Sequence, residues 1–212
     1  SRKSLYIYCK TVVLSQSLMV APGSPEAVEF TRLRANSFLL TEIIEPNSLR
    51  NPSYLRELLS LVARSTGERV SARQASEALA ARGITFSPQA VLDYLGLCAT
   101  AGLLVPVPLL DIDKNRRIDS ADSWYFGDAG LRFAFATRET RSELSRAEEN
   151  LLLLRLIGDG WTVARGRVGY GKHAADEVAF VCERDGERAY VQVIPGSATA
   201  GERIRAYDAL SA

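Results

Sequence analysis

Between residues 51 and 102 apolar residues recur at three- and four-residue steps, interrupted where helices stop. Leu55, Leu58, Leu59 and Val62 form one stripe behind Asn51, a candidate N-cap, and Pro52 at the first helical position, with Gly67 as the stop. Ser71 and Gln74 have the spacing of a capping box for a second helix over 72–82, closed by Gly83. Ser87 and Pro88 open a third helix that carries Val91, Leu92, Leu95 and Cys98 inward as far as Gly102. The helical period then gives way to two extended runs, LLVPVPLL at 103–110 and DSWYF at 122–126, joined by the polar DIDKNRRIDSAD. Three helices and a hairpin in this order predict a winged helix-turn-helix.

Two flanking regions complete the pattern. After the break PGSP at 22–25, the stretch from Glu26 to Ile44 places Phe30, Leu33, Ser37, Leu40 and Ile44 on one helical face, ended by Pro46 and Asn47. Residues 1–21 fit helix or strand. Beyond the hairpin, ELSRAEENLLLLRLIG at 143–158 is rich in helix formers. WTVAR at 161–165, DEVAFVCE at 176–183 and RAYVQVI at 188–194 read as strands, the last two flanking the turn signal Asp185-Gly186. The tail holds a short helix around Glu202 to Leu210. This predicts a mixed α+β chain: a mainly helical segment at 1–50, a winged helix at 51–126 and a small α/β unit at 127–212. Trp124, Tyr125 and Phe126 are expected to join the two units.

Composition narrows the choices. At 47% hydrophobic and 24% charged residues, the chain can build a core and is not a disordered tail. With 26 basic and 25 acidic residues, no net field draws it to nucleic acid or to an acidic membrane. Cys9, Cys98 and Cys182 are widely spaced and there is one histidine, which disfavours a zinc site and a disulfide framework and points to the cytoplasm. Residues 11–21 are interrupted by Ser15, Gln16 and Ser17, and no run reaches the length of a membrane span. A start at Ser1, with Met19 as the sole methionine, suggests a piece of a longer protein.

The third helix, PQAVLDYLGLCATA at 88–101, contains no Lys or Arg, and its outward positions include Gln89, Asp93 and Gly96. Base readout needs donors at base edges, and backbone affinity needs cations. The candidate nucleic-acid contacts are Arg73, Gln89, Lys114, Arg116 and Arg117, and Asp111, Asp113, Asp119 and Asp122 weaken the field of the last three. Protein docking is therefore favoured over duplex binding.

A metal-dependent nuclease would need an inward carboxylate on one strand and Glu-x-Lys on the next, to hold the cation and position water. The helix with Glu148 and Glu149 and the two strands at Asp185-Gly186 have the right order, yet the strands read EVAFV and YVQVI. Ala179, Gln192 and Ile194 stand where the ligands and lysine belong. Asp176 and Glu177 serve only after a register slip. GRVGYGKH at 166–173 has phosphate-loop spacing, but His173 replaces the hydroxyl residue and no parallel strand precedes it.

Several segments, in order, resemble one family. GSPEAV at 23–28, NPSYLRELLSLVARSTGERVSARQASEALA at 51–80, AVLDYLGLCATAGLL at 90–104, WYFGDAGLRFAF at 124–135 and Glu149-Asn150 are similar to the C-terminal region of bacterial and archaeal AAA-family ATPases, catalogued as domain of unknown function 4143. The fourth segment looks like that family's Tyr-Phe-x-Asp-x-Gly-Leu signature. The resemblance implies a winged helix joined to a restriction-endonuclease-like unit, behind an upstream domain that would hold the ATP and Mg²⁺. Family members commonly carry Val-Asp-Phe and Glu-Val-Lys in the last two strands. Here Val178-Ala179-Phe180 and Gln192-Val193-Ile194 depart at all three polar positions. The degenerate nuclease-like positions are therefore Glu149, Ala179, Gln192 and Ile194, and Asp128 suits a cap for a helix near Gly130. The expectation is a non-catalytic accessory region with no cofactor or metal of its own, docked on its own ATPase domain, another protein or a second copy. The alternatives are a DNA-binding module and, less favoured, a metal-dependent nuclease.

Overall fold

The computed structural model describes residues 3–4, 25–136, 141–168 and 176–194, with backbone alone at 3–4, 119–121, 141–144 and 176. The helices are α1 (Pro25–Phe38), continued by a π-helical turn (Leu39–Ile44), then α2 (Pro52–Arg64), α3 (Ala72–Ala80), α4 (Pro88–Thr100), α5 (Ala129–Phe135) and α6 (Arg141–Gly158). The strands are β1 (Lys3–Ser4), β2 (Leu104–Asp111), β3 (Arg116–Phe126), β4 (Thr162–Val168), β5 (Asp176–Arg184) and β6 (Glu187–Val191). The tail helix expected near Glu202 lies outside the described residues. The fold is mixed α+β, and its strands form one open sheet in the order β1-β6-β5-β4-β2-β3.

Local signals explain most of the helix ends. Ser71 Oγ accepts from Gln74 N–H at 3.2 Å while Gln74 Oε1 accepts from Ser71 N–H at 2.9 Å, the reciprocal bonds of a capping box. Ser87 caps α4 through Ala90 N–H at 3.1 Å, and Asp128 caps α5 through Leu131 N–H at 3.0 Å. Asn51 makes no such bond. Its ψ of 72°, against 154° and 153° at Ser71 and Ser87, is short of the extended geometry that aims a cap at the first turn.

Two apolar assignments are corrected. In α1 the buried positions are Ala27 and Ala35, followed by Leu39 and Ile43 in the π turn. Phe30, Leu33 and Leu40 are 44%, 58% and 47% exposed. Small alanines allow a close approach to neighbouring helices, and the wide π turn continues their row, so residue size misleads about the buried face. In α4, Val91, Leu95 and Cys98 are buried, but Leu92 lies one position round the helix and is half exposed.

The hairpin also departs from expectation. β3 begins at Arg116, so much of the polar joining segment is strand and the turn is only 112–115, with Asn115 at φ 47°. Val107 faces Ser123 and Leu109 faces Ile118, leaving residues 119–122 opposite Pro108 alone. Proline has no N–H to hold a partner, and the bulge sits there. Moreover, β2 pairs in parallel with β4 through Leu109–Asp111 and Arg165–Arg167. A Cβ at Gly166 would come within 2.7 Å of Ile112 Cδ1 and 2.8 Å of Val181 Cγ2, so this close crossing requires glycine. Asp185 and Gly186, at φ 51° and 79°, make the expected turn between β5 and β6.

Two hydrophobic clusters result. One gathers α1 to α5 with Leu103, Leu104 and Phe126. The other gathers Val107 and Tyr125 with α6, β4, β5 and β6. Tyr125 and Phe126 are fully buried neighbours on β3 whose side chains leave opposite faces, one into each cluster. Trp124 packs against the first. Asn150 of α6 then closes β3's outer edge: its Oδ1 accepts from Phe126 N–H and its Nδ2 donates to Phe126 C=O, both at 2.8 Å. Asn150→Ala strands two buried backbone groups, and we expect it to lower unfolding free energy by about 2–5 kcal/mol, read from urea denaturation.

Candidate functional site

Near Tyr125 the structure assembles a polar cluster from four elements. The Tyr125 hydroxyl of β3 donates to Glu149 Oε1 of α6 at 2.5 Å. Arg165 of β4 donates through Nη1 to that same oxygen at 2.7 Å and to the Tyr125 hydroxyl oxygen at 2.8 Å. Its Nη2 lies 3.6 Å from Glu177 Oε2 of β5. Glu177 is held from the other side by Arg69 at 2.7 Å. Within this cluster Arg165 is the most enclosed charge, with 12% of its side chain exposed. Burial works against its charge, but Tyr125 and the Glu149 carboxylate outweigh that and hold the guanidinium above its ordinary value. Burial pushes the Tyr125 phenol up as well, the Glu149 carboxylate adds to it, and Arg165 opposes both.

Of the four positions expected from the sequence to be nuclease-like, Glu149 alone belongs to this cluster. Glu149 is half-buried within it. Ala179 is buried on β5, and its N–H donates to Gln192 Oε1 at 2.8 Å. Gln192 and Ile194 lie beyond the end of β6 at Val191, so the expected strand to residue 194 is shorter. The arrangement brings together Glu149 and Glu177, and Ala179 with Gln192. The carboxylates meet a guanidinium, and the amide oxygen is committed to a backbone donor. Among the described residues no group of three or more His, Cys, Asp or Glu side chains could hold a metal ion. Asp176's side chain, His173 and Lys172 lie outside the described residues.

No family model, curated protein or solved structure matches this chain.

The candidate nucleic-acid contacts lie on α3, on α4 and at the β2–β3 hairpin. Arg73 pairs with Glu77 inside α3 at 2.8 Å, Gln89 donates to Asp93 inside α4 at 2.9 Å, and Arg117 pairs with Asp122 inside β3 at 3.1 Å. Lys114 is at the hairpin turn, where its N–H donates to Asp111 Oδ1 at 3.0 Å, and Arg116 is exposed beside it. The turn is tied down: Arg188 of β6 donates to Asn115 Oδ1 at 2.6 Å. A depression of about 700 Å³ there is lined by Asn115, Thr162, Arg184 and Arg188 among others. Arg184 lies over Trp161, 4.4 Å from the ring centroid, and Arg188 pairs with Glu183, so its charges are engaged. No helix among the described residues is long and apolar enough to cross a membrane.

Sequence reasoning overlooked Arg69, Tyr125 and Arg165 as one group. The available signal was Arg165, the one charge in the segment WTVAR that reads as a strand. Gly67, read only as a helix stop, has φ 79° and leaves room for Glu149, whose Oε1 would stand 2.6 Å from an added Cβ. Gly67→Ala should cost at least about 1–2 kcal/mol in urea denaturation, since it combines backbone strain with that collision. The Cys98 and Cys182 thiols are both pushed up to about 12 by burial. In a Cys9→Ser variant, neither should be alkylated at pH 8 until the chain is unfolded, because a raised pKa leaves almost no thiolate.

Proposed function

We propose that this chain is a non-catalytic docking module in which a winged helix presents the outward face of α4 to a protein. The observation that carries this reading is the composition of that face. Leu92 is half exposed, Gln89 and Asp93 bond each other beside it, and no Lys or Arg occurs anywhere in 88–101. Such a face offers apolar area to a protein and nothing to a phosphate. The partner we propose is the upstream ATPase domain implied by the family resemblance, or a second copy. A reducing, cytoplasmic setting belongs to the same proposal and is supported by the free thiols of Cys98 and Cys182.

The α/β unit is then a degenerate relative of a restriction-endonuclease-like core. Hydrolysis of a phosphodiester at a metal centre requires oxygens converging on a hard cation. Arg165 supplies the positive charge between Glu149 and Glu177, Gln192 spends its carbonyl on Ala179, and Ile194 can neither donate nor carry charge.

Three assays test the proposal. Calorimetry should detect binding of the ATPase domain by the chain and its loss in Leu92→Glu. Gel shifts in 50–150 mM salt should show no duplex binding tighter than about 10 µM. Salt-sensitive micromolar binding, lost in an Arg116→Ala/Arg117→Ala variant, would instead establish the DNA-binding reading. Incubation with DNA and RNA in Mg²⁺ or Mn²⁺ should yield no cleavage, and cleavage abolished by EDTA and by Glu177→Ala would overturn the inert assignment.

A further inference from the structure

We infer that the exposed face of α1 is the surface on which two copies of this chain pair, with the two helices antiparallel. Six large apolar side chains are exposed among the described residues. Leu92, Phe133 and Ile157 lie one each on α4, α5 and α6, which is ordinary for a folded surface, but Phe30, Leu33 and Leu40 share one helix and its π turn. Their sequence spacing keeps them on one side, opposite the buried Ala27, Ala35 and Leu39. That other side is fixed: Ala35 and Leu39 belong to the helical cluster, and Asn36 accepts a hydrogen bond from Arg56 of α2. The stripe is thus an anchored apolar ridge open to water, the form of an interaction surface.

The charges beside the stripe select the partner. Glu26 and Glu29 precede Phe30, Arg32 and Arg34 lie beyond it, and all four are exposed, so the helix runs from acidic to basic. On other helices exposed charges find partners within the chain, as Arg73 does in Glu77, Arg82 in Glu57 and Arg155 in Asp159. Glu29, Arg32 and Arg34 enter no ion pair among the described residues, although Glu29 and Arg32 are close in sequence on one helix. A two-fold interface uses the same patch on both partners, so that patch must complement itself. Reversing α1 against α1 about a point near Thr31 meets this condition. Glu29 then comes alongside Arg32 and Arg34 of the second copy, and Phe30 packs on Leu33 of the second copy, with Leu40 at the rim. Parallel pairing would set like charges side by side. The contact of two helices is small, so the dimer is a weak one.

The inference concerns a different face from α4 and stands whether or not α4 docks a protein. Sedimentation of the full chain between about 1 and about 200 µM should show a monomer–dimer equilibrium with a dissociation constant on the order of 10 µM. Phe30→Gln/Leu33→Gln should weaken it at least about tenfold without changing the circular dichroism spectrum, since both side chains face water in the monomer. Glu29→Arg and Arg32→Glu/Arg34→Glu should each weaken it about three- to tenfold by setting like charges together. Mixed with each other, these two variants should pair at least as tightly as the parent chain. Combined in one chain, the three substitutions should restore the parent affinity to within about twofold, a recovery that a folding defect would not give. Leu92→Glu should leave the equilibrium unchanged, which separates this dimer from the docking assay. A chain monomeric at every concentration, as a face kept for a different protein would give, overturns the inference. So does a dimer lost in Leu92→Glu but kept in Phe30→Gln/Leu33→Gln, or a failure of the charge variants to recover when mixed and when combined.

Discussion

The C-terminal end of β3 is buried on both faces, and it also needs its outer backbone edge closed. Alternation sends Tyr125 to the sheet cluster and Phe126 to the helical one, so a single strand end seals two cores. An unpaired edge at that depth would cost as much as the lost hydrogen bonds. Asn150 fulfils for Phe126 the role of a neighbouring strand, and Gly67 contributes a further bond at Trp124. The placement of α6, the course of the loop after α2 and the glycine at 67 all answer this one requirement.

The same requirement accounts for the charges nearby. Closing β3 brings Glu149, Arg165 and Glu177 into a half-buried space, where an unpaired carboxylate or guanidinium would be expensive. They are stable there because each has an opposite charge, and Tyr125 adds a hydroxyl to the same carboxylate. Two glutamates in proximity therefore do not by themselves make a metal centre. The cation they face is part of the chain.

Features encoded within a few residues were legible in the sequence. Ser71 with Gln74, Ser87, Asp128 and Asp185-Gly186 each act on backbone atoms close by, and the structure has these caps and this turn. Properties that depend on a distant partner were not legible. The face of α1 was misjudged because Phe30 and Leu33 outweigh Ala27 and Ala35 in hydrophobicity, whereas packing selected the small residues. Strand pattern reveals which residues alternate but not which strand lies alongside, so the parallel pairing of β2 with β4 was unforeseen. Of the candidate site, Glu149 was singled out in the sequence. Arg165 was not, since its partners come from three other elements.

The pairing of β2 with β4 also bears on how the chain is made. Helices α2 to α4 close on neighbours a few residues away, whereas Leu109–Asp111 must wait for Arg165–Arg167 to emerge from the ribosome. Long-range pairing is slow because chain entropy is lost before contacts compensate. During synthesis the helical cluster therefore exists beside a hairpin with one bare side, a template for strands of other nascent chains. A stop codon between α5 and β4 would make that transient edge permanent, and the product would be prone to aggregate rather than simply lack a domain.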